Sequence, residues 1–256
     1  GKQVEALLKI IELGGWKSGV SSALAKRLLL EAGISESALK TLDKKGFIDI
    51  YKGEVSRLET DDEASKTLKE LSPTQEGAYR EIKDAFQEKA VTLLHGVTSS
   101  GKTEIYVKLI QEQLDKGNQV LFLLPEIALT AQLINRLKRY FGDLVGVYHS
   151  RFNQNERIEI WNKVLQNDQS QYRIILGARS SVFLPFAQLG LIIVDEEHEN
   201  SFKQYDPAPR YNGRDVAILM GHLYKCKVLL GSATPSIESF YNAKEGRYGL
   251  VSLSDR

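Results

Sequence analysis

The sequence predicts an α/β protein, a parallel sheet with helices on both faces, preceded by a small helical domain. Three observations lead there. Between Val91 and Leu230, short apolar runs alternate with segments of helical period, the pattern of strands joined by crossover helices. Those runs are near-continuous rather than alternating, so each strand is covered on both sides. Residues 1 to 58 lack such runs and instead carry helix-spaced Leu, Ile and Ala interrupted by glycines.

In the first domain, Val4, Leu7, Leu8, Ile11 and Leu13 make an amphipathic helix ended by Gly14 and Gly15. Ser21 or Ser22 caps a second helix carrying Leu24, Leu28 and Leu29, which stops at Gly33. Ser35 caps a third with Ala38, Leu39 and Leu42 inward. Phe47 to Tyr51, a turn at Lys52 and Gly53, and Val55 read as a short hairpin. That order is the order of a winged helix. Residues 1–57 hold ten Lys or Arg against seven Asp or Glu, a slight basic excess compatible with either DNA contact or a protein-docking role.

Residues 59–70 are polar, cluster Asp61, Asp62 and Glu63, and read as a linker. The second domain then spans 71–256. Ser72 and Pro73 open a helix with Ala78, Ile82, Ala85 and Phe86 on its apolar face. The expected strands are Val91 to Leu94, Gln119 to Leu124, Leu144 to Tyr148, Arg173 to Leu176, Leu191 to Val194 and Lys227 to Leu230. Ligands of such sheets bind beyond the carboxyl ends of the strands.

Composition narrows the class. The chain has 256 residues with 34 basic against 33 acidic side chains, so a nucleic-acid surface must be local. Cys226 is the single cysteine, which excludes an internal disulfide and a multi-cysteine zinc site within these residues. No apolar run nears the roughly 20 residues of a membrane helix, and no signal peptide opens the chain. A cytoplasmic location without a membrane partner is expected.

The chemistry starts at the first strand end. Gly96, Val97, Thr98, Ser99, Ser100, Gly101, Lys102 and Thr103 read G-V-T-S-S-G-K-T, a phosphate loop between an apolar run and a helix with Ile105, Leu109, Ile110 and Leu114 on one face. Backbone N–H groups and the helix dipole there hold a polyphosphate, Lys102 reaches its terminal phosphates, and Thr103 holds magnesium. The run 191–194 delivers Asp195 and Glu196, suited to binding that magnesium and to activating a water. After the run 227–230 comes Gly231-Ser232-Ala233-Thr234 and a helix begun by Pro235.

The phosphate loop, D-E-E-H and S-A-T, in that order, resemble motifs I, II and III of superfamily 2 helicases. L-L-P-E-I-A-L-T-A-Q (123–132), G-A-R-S-S-V-F-L-P-F (177–186), R-Y-N-G-R-D-V-A (210–217) and L-G-S-A-T-P-S extend the resemblance to the PriA family of bacterial replication-restart helicases. The resemblance implies a RecA-like first helicase lobe after a winged-helix domain. It implies an ATP- and magnesium-dependent 3′ to 5′ DNA helicase that acts on stalled forks and starts primosome assembly. Its partners would be single-stranded and forked DNA, replication-restart proteins and single-strand-binding proteins. Gln75 is then the adenine-reading glutamine, and His198 a coupling residue bonded to Ser232 and Thr234. Thr130, Gln132, Arg179 and Ser180 would lie along the single strand, although Gln132 also reads as a plain solvated helix residue.

Ser201 to Arg214 places Phe202, Tyr205 and Tyr211 among Lys203, Arg210 and Arg214, a composition suited to base stacking and phosphate contact or to rings packed on the domain. It resembles the aromatic-rich loop that joins DNA binding to hydrolysis in that family. His95 and His222 read as structural, and His149 as a residue of the DNA path. Ser99 stands where the family has glycine. Neither a second lobe with arginine fingers nor the family's zinc-binding cysteines are recognisable, so zinc is expected only outside these residues. We therefore expect a first lobe that alone binds ATP weakly and turns it over poorly. Two other readings of the motifs remain: a double-strand translocase motor of a restriction or remodelling enzyme, and a winged-helix regulatory ATPase.

Overall fold

In the computed structural model the described residues are 7–10, 29–30, 32–45, 48, 69–97, 100–128, 131–148, 152 and 154–253. The chain divides into two units, Gly1–Arg57 and Leu58–Arg256. In the first, residues 7–10 and 29–30 are helical and α1 runs over Glu36–Lys44. Ser35 caps α1 by accepting the Ala38 N–H at 3.3 Å, as its sequence position predicts. Leu29, Ile34, Leu39 and Leu42 form its small core. The rest of the first two helices, the 47–55 hairpin apart from Ile48, and the linker before Lys69 lie outside the described residues.

The second unit is a single seven-stranded sheet in the order β3-β4-β2-β5-β6-β1-β7, every neighbouring pair parallel. Its elements are α2 (Pro73–Glu88), β1 (Val91–Gly96), α3 (Lys102–Asp115), β2 (Gln119–Leu123), α4 (Ala131–Phe141), β3 (Val145–Tyr148), α5 (Gln154–Gln166), β4 (Ile174–Gly177), β5 (Leu189–Asp195), α6 (Gly213–Tyr224), β6 (Lys227–Ser232), α7 (Ile237–Lys244) and β7 (Gly249–Leu253). Alternate strand residues supply two cores. Leu94, Phe122, Leu176 and Ile193 meet α2, α3 and α4. Leu93, Leu121, Ile175 and Ile192 meet α5, α6 and α7.

The six expected strands are present, their ends moved by at most two residues. The seventh, β7, has no counterpart in the sequence reading. It is an edge strand in which Leu250 and Ser252 are exposed between buried Gly249, Val251 and Leu253, so it carries no continuous apolar run. Since all strands run the same way, β1, β5 and β6 end on one rim. The register places His95 beside Ser232, and Asp195 beside Gly231. Among the described residues, no helix is long and apolar enough to cross a membrane.

Candidate nucleotide site and the exposed loop beside it

Gly101 caps α3 at φ +83°, left-handed backbone that favours glycine. A Cβ there would also fall 2.1 Å from Gln75 Nε2. Gln75 is itself fixed: its Oε1 accepts the Ser72 N–H at 2.9 Å while Ser72 Oγ accepts the Gln75 N–H, a reciprocal cap that opens α2. The expected adenine reader is thus seated against the phosphate loop. Lys102 is buried and donates to the Gly96 carbonyl at 2.8 Å and to the Val97 carbonyl at 3.4 Å, so the loop's own backbone holds its charge. Thr98 and Ser99 lie outside the described residues.

A cavity of about 440 Å³ opens between Ser100, Gly101, Lys102, Thr103, Glu104, Arg136, Asp195 and Glu196. It brings together the loop and the acids of β5, which lie some ninety residues apart. Asp195 keeps some exposure where it faces this cavity, but packed atoms surround its carboxyl, and burial pushes its pKa up to about 6. The buried Tyr106 hydroxyl opposes that by donating to Asp195 Oδ1 at 2.9 Å. Gly231 makes room for this bond, since a Cβ there would lie 1.9 Å from the Tyr106 oxygen. Glu196 sits at φ +49°, uncommon for a side chain of its kind and a mark of backbone held by its surroundings.

His198 shares hydrogen bonds with Ser232 Oγ (2.8 Å) and Thr234 Oγ1 (3.3 Å), and its Nδ1 lies 3.7 Å from Glu196. Ser232 Oγ also accepts the Thr234 N–H at 3.0 Å. The acid run and the S-A-T segment are therefore one hydrogen-bonded unit. Donors, a hydroxyl and a carboxylate converge as a magnesium-bound polyphosphate requires, and Ser100 Oγ is buried at the loop with no protein partner. Among the described residues no cluster of three or more His, Cys, Asp or Glu stands ready to hold a metal by itself. Thr103 and Asp195 fit a metal that also takes phosphate oxygens.

The residues expected to face DNA divide. Thr130 lies outside the described residues, and Gln132 is exposed on the first turn of α4. Lys203, Tyr205 and Arg210 are exposed, with Tyr205 60% open and the Lys203 ammonium 4.9 Å over its ring. Phe202 corrects the sequence reading: it is 1% exposed among Ala217, Met220 and the sheet residues, leaving no face for a base. Arg214 is a second correction. Its side chain is 11% exposed and bound to the buried Glu197 and the exposed Asp215, so two carboxylates already hold its charge. Tyr211 is half-buried with its ring edge-on to Phe183 at 5.0 Å, and Arg179 donates to the Ser201 and Lys203 carbonyls. Lys203 bridges Asn212 antiparallel and the Gln204 N–H donates to Tyr211, closing 203–212 into a strap.

Sequence reasoning passed over Tyr106, Arg136, Phe183 and Glu197. Phe183 and Glu197 fall inside the quoted motifs, and Tyr106 lies three residues beyond the phosphate loop. Arg136, ion-paired to Glu104, carries no local signal.

The model of DEAD/DEAH box helicases matches residues 72–242. The chain belongs to the DEAD/DEAH box helicase family. Within it, the chain is 42% identical to the replication restart protein PriA of Bacillus subtilis (strain 168) over 236 residues, 91% of this chain and 29% of that protein. It is 39% identical to the same protein of Chlamydia pneumoniae, over 98% of this chain and 33% of the relative. The chain thus spans about a third of the length of these curated relatives. The helicase fold recurs in RecG bound to a three-way DNA junction (TM-score 0.52, 22% identity, all of this chain and 29% of that one). It recurs too in Mycobacterium smegmatis Lhr bound to single-stranded DNA and AMP-PNP (TM-score 0.51, 19% identity, 73% and 26%).

Proposed function

We propose that residues 71–256 are the first RecA-like lobe of an ATP-driven 3′ to 5′ DNA helicase of the replication-restart type, preceded by a winged helix at 1–58 and a linker at 59–70. The observation that carries this is the convergence of Lys102, Thr103, Asp195 and Glu196 on one cavity, with His198 tying the acids to Ser232 and Thr234. The 42% identity to a replication restart protein supports the biological assignment.

In this reading Gln75 reads the adenine from its place beside Gly101. Lys102 exchanges the carbonyls of Gly96 and Val97 for phosphate oxygens, while the loop N–H groups and the α3 dipole hold the remaining charge. Thr103 and Asp195 hold magnesium, which when bound neutralises charge on the transferred phosphoryl group. Glu196 accepts a proton from the attacking water. His198 reports the state of Glu196 to the S-A-T segment. Lys203, Tyr205, Arg210 and Gln132 meet the strand through phosphate contacts and one stacked ring. Forked DNA, replication-restart proteins and single-strand-binding proteins are the partners, cytoplasm the setting, and zinc belongs to segments outside this lobe.

Phosphoryl transfer in such motors also draws on an arginine from a second lobe. The test is titration with a fluorescent ADP analogue and magnesium, followed by an ATPase assay with oligo-dT. Magnesium-dependent binding that Lys102→Ala removes, with little turnover by the isolated chain, is expected. Binding that survives Lys102→Ala, or vigorous DNA-stimulated turnover by these 256 residues, would refute the reading.

A further inference from the structure

Glu197 follows the two acids to which the proposed chemistry assigns roles, and that chemistry makes no use of it. Its position is nevertheless the most constrained of the acid run. It is 2% exposed, and its carboxylate accepts from the Ser236 N–H (2.7 Å), the Ser236 hydroxyl (3.0 Å), the Ser239 hydroxyl (2.8 Å) and the Arg214 guanidinium (3.1 Å). Its own N–H donates to the Gly231 carbonyl of β6 at 3.1 Å. A carboxylate persists in such a place only where pairing and hydrogen bonds offset its lost hydration.

The donors come from two elements with separate duties. Arg214 stands in the first turn of α6, two residues after Asn212 closes the 203–212 strap, and it also donates to Ser236 Oγ at 2.7 Å. Ser236 caps α7, directly after G-S-A-T-P. At the strap's other end, Arg179 holds the Ser201 and Lys203 carbonyls. The peptide between Glu196 and Glu197 therefore moves nothing alone: with Glu196 at φ +49°, a change in its backbone displaces a carboxylate bonded to both α6 and α7.

We propose that Glu197 and Arg214 are positioning residues that carry the nucleotide-dependent state of Asp195 and Glu196 to the exposed strap at 203–212. The inference rests on the nucleotide-binding reading above. Coupling of this kind is reciprocal: nucleotide changes the affinity for DNA by the factor by which DNA changes the affinity for nucleotide.

The experiment is hydrogen exchange by mass spectrometry on the chain, with and without magnesium and a non-hydrolysable ATP analogue. Oligo-dT binding is measured under both conditions. In the wild type, nucleotide slows exchange at 96–104 and at 201–214, and shifts oligo-dT affinity by about fivefold or more. Arg214→Ala and the isosteric Glu197→Gln keep the protection at 96–104 and a nucleotide Kd within about threefold of wild type. They lose the protection at 201–214 and bring the affinity shift to near unity, and Arg214→Lys restores part of it. Glu197→Gln keeps an acceptor for the Ser236 N–H, so one variant reads the link without dismantling the α7 cap. Protection at 201–214 that persists in both variants would overturn the proposal, as would a wild type protected at 96–104 alone. A wild type unprotected at 96–104 overturns the nucleotide-binding reading with it, and that outcome is distinct from the other two.

Discussion

Asp195→Asn should stabilise the nucleotide-free protein while removing its magnesium chemistry. The Asp195 carboxyl is lifted from 3.8 to about 6, with burial the largest cause. At about 1.4 kcal/mol per tenfold change in the protonation equilibrium, ionising it in the fold is unfavourable by roughly 3 kcal/mol, and water in the adjoining cavity trims this towards roughly 2. The sign follows from proton counting. Between pH 4 and 6 the folded state holds the proton that the unfolded state has lost, so wild-type stability falls as pH rises through that window and is flat above it for this group. Asparagine keeps an acceptor for the Tyr106 hydroxyl and carries no charge. Urea unfolding in EDTA at a series of pH values checks this. The variant should exceed wild type by about 2 kcal/mol at pH 8, with the gap closing towards pH 4. A variant less stable than wild type at pH 8, or a gap independent of pH, would refute the reasoning.

In the proposed reading the same carboxyl also governs metal binding. Magnesium competes with its proton, so the affinity for magnesium-nucleotide should drop towards tenfold per pH unit below about 6, and Tyr106→Phe, which removes a bond that lowers this pKa, should move the fall to higher pH. Calorimetric titration across pH 5 to 8 reads both, and an unmoved profile in Tyr106→Phe counts against the Tyr106 role. Gly101→Ala should destabilise by about 1 to 2 kcal/mol through its left-handed backbone and displace the Gln75 side chain, weakening nucleotide binding beyond the stability loss. In the strap, Tyr205→Ala should weaken oligo-dT binding by about 1 to 3 kcal/mol with an unchanged melting point. Phe202→Ala should instead lower stability by about 3 to 5 kcal/mol. Interchange of the Tyr205 and Phe202 outcomes would refute the assignment of the two rings.

The sheet was legible where burial is two-sided. Runs such as Leu191 to Val194 are apolar on both faces because helices cover both, and that pattern has few other causes. Edge strand β7 shows one face to solvent and reads as an ordinary alternating segment before the chain's last residues. The phosphate loop and the acids were legible because their chemistry fixes residue types at fixed spacing. For the loop aromatics, composition stated which residues stack or pack without separating them. Phe202 has no polar side-chain atom and ends the short 3-10 turn Asn200–Phe202, whereas Tyr205 keeps a hydroxyl for water, but only the fold shows which ring the strap turns outward.

Three of the residues that sequence reasoning missed, Tyr106, Arg136 and Glu197, share one physical property: their partners are distant in the chain and their role lies in a hydrogen bond or ion pair. Tyr106 and Asp195 are 89 positions apart, and Glu197 and Ser239 are 42 apart. A tyrosine on an amphipathic helix reads as core, and Tyr106 is core, packed edge-on to Phe122. What makes it more is the missing side chain at Gly231, which opens a space that the hydroxyl fills on its way to Asp195. The glycine of G-S-A-T is then explained by an oxygen on another element, while its local conformation demands no glycine at all. The same holds for Arg214, whose charge marked it as a phosphate contact until the buried carboxylate of Glu197 claimed it. An arginine beside an exposed, basic and aromatic strap is ambiguous in sequence because a phosphate and a buried carboxylate ask for the same guanidinium. Only the presence of an acid that needs a partner decides between them.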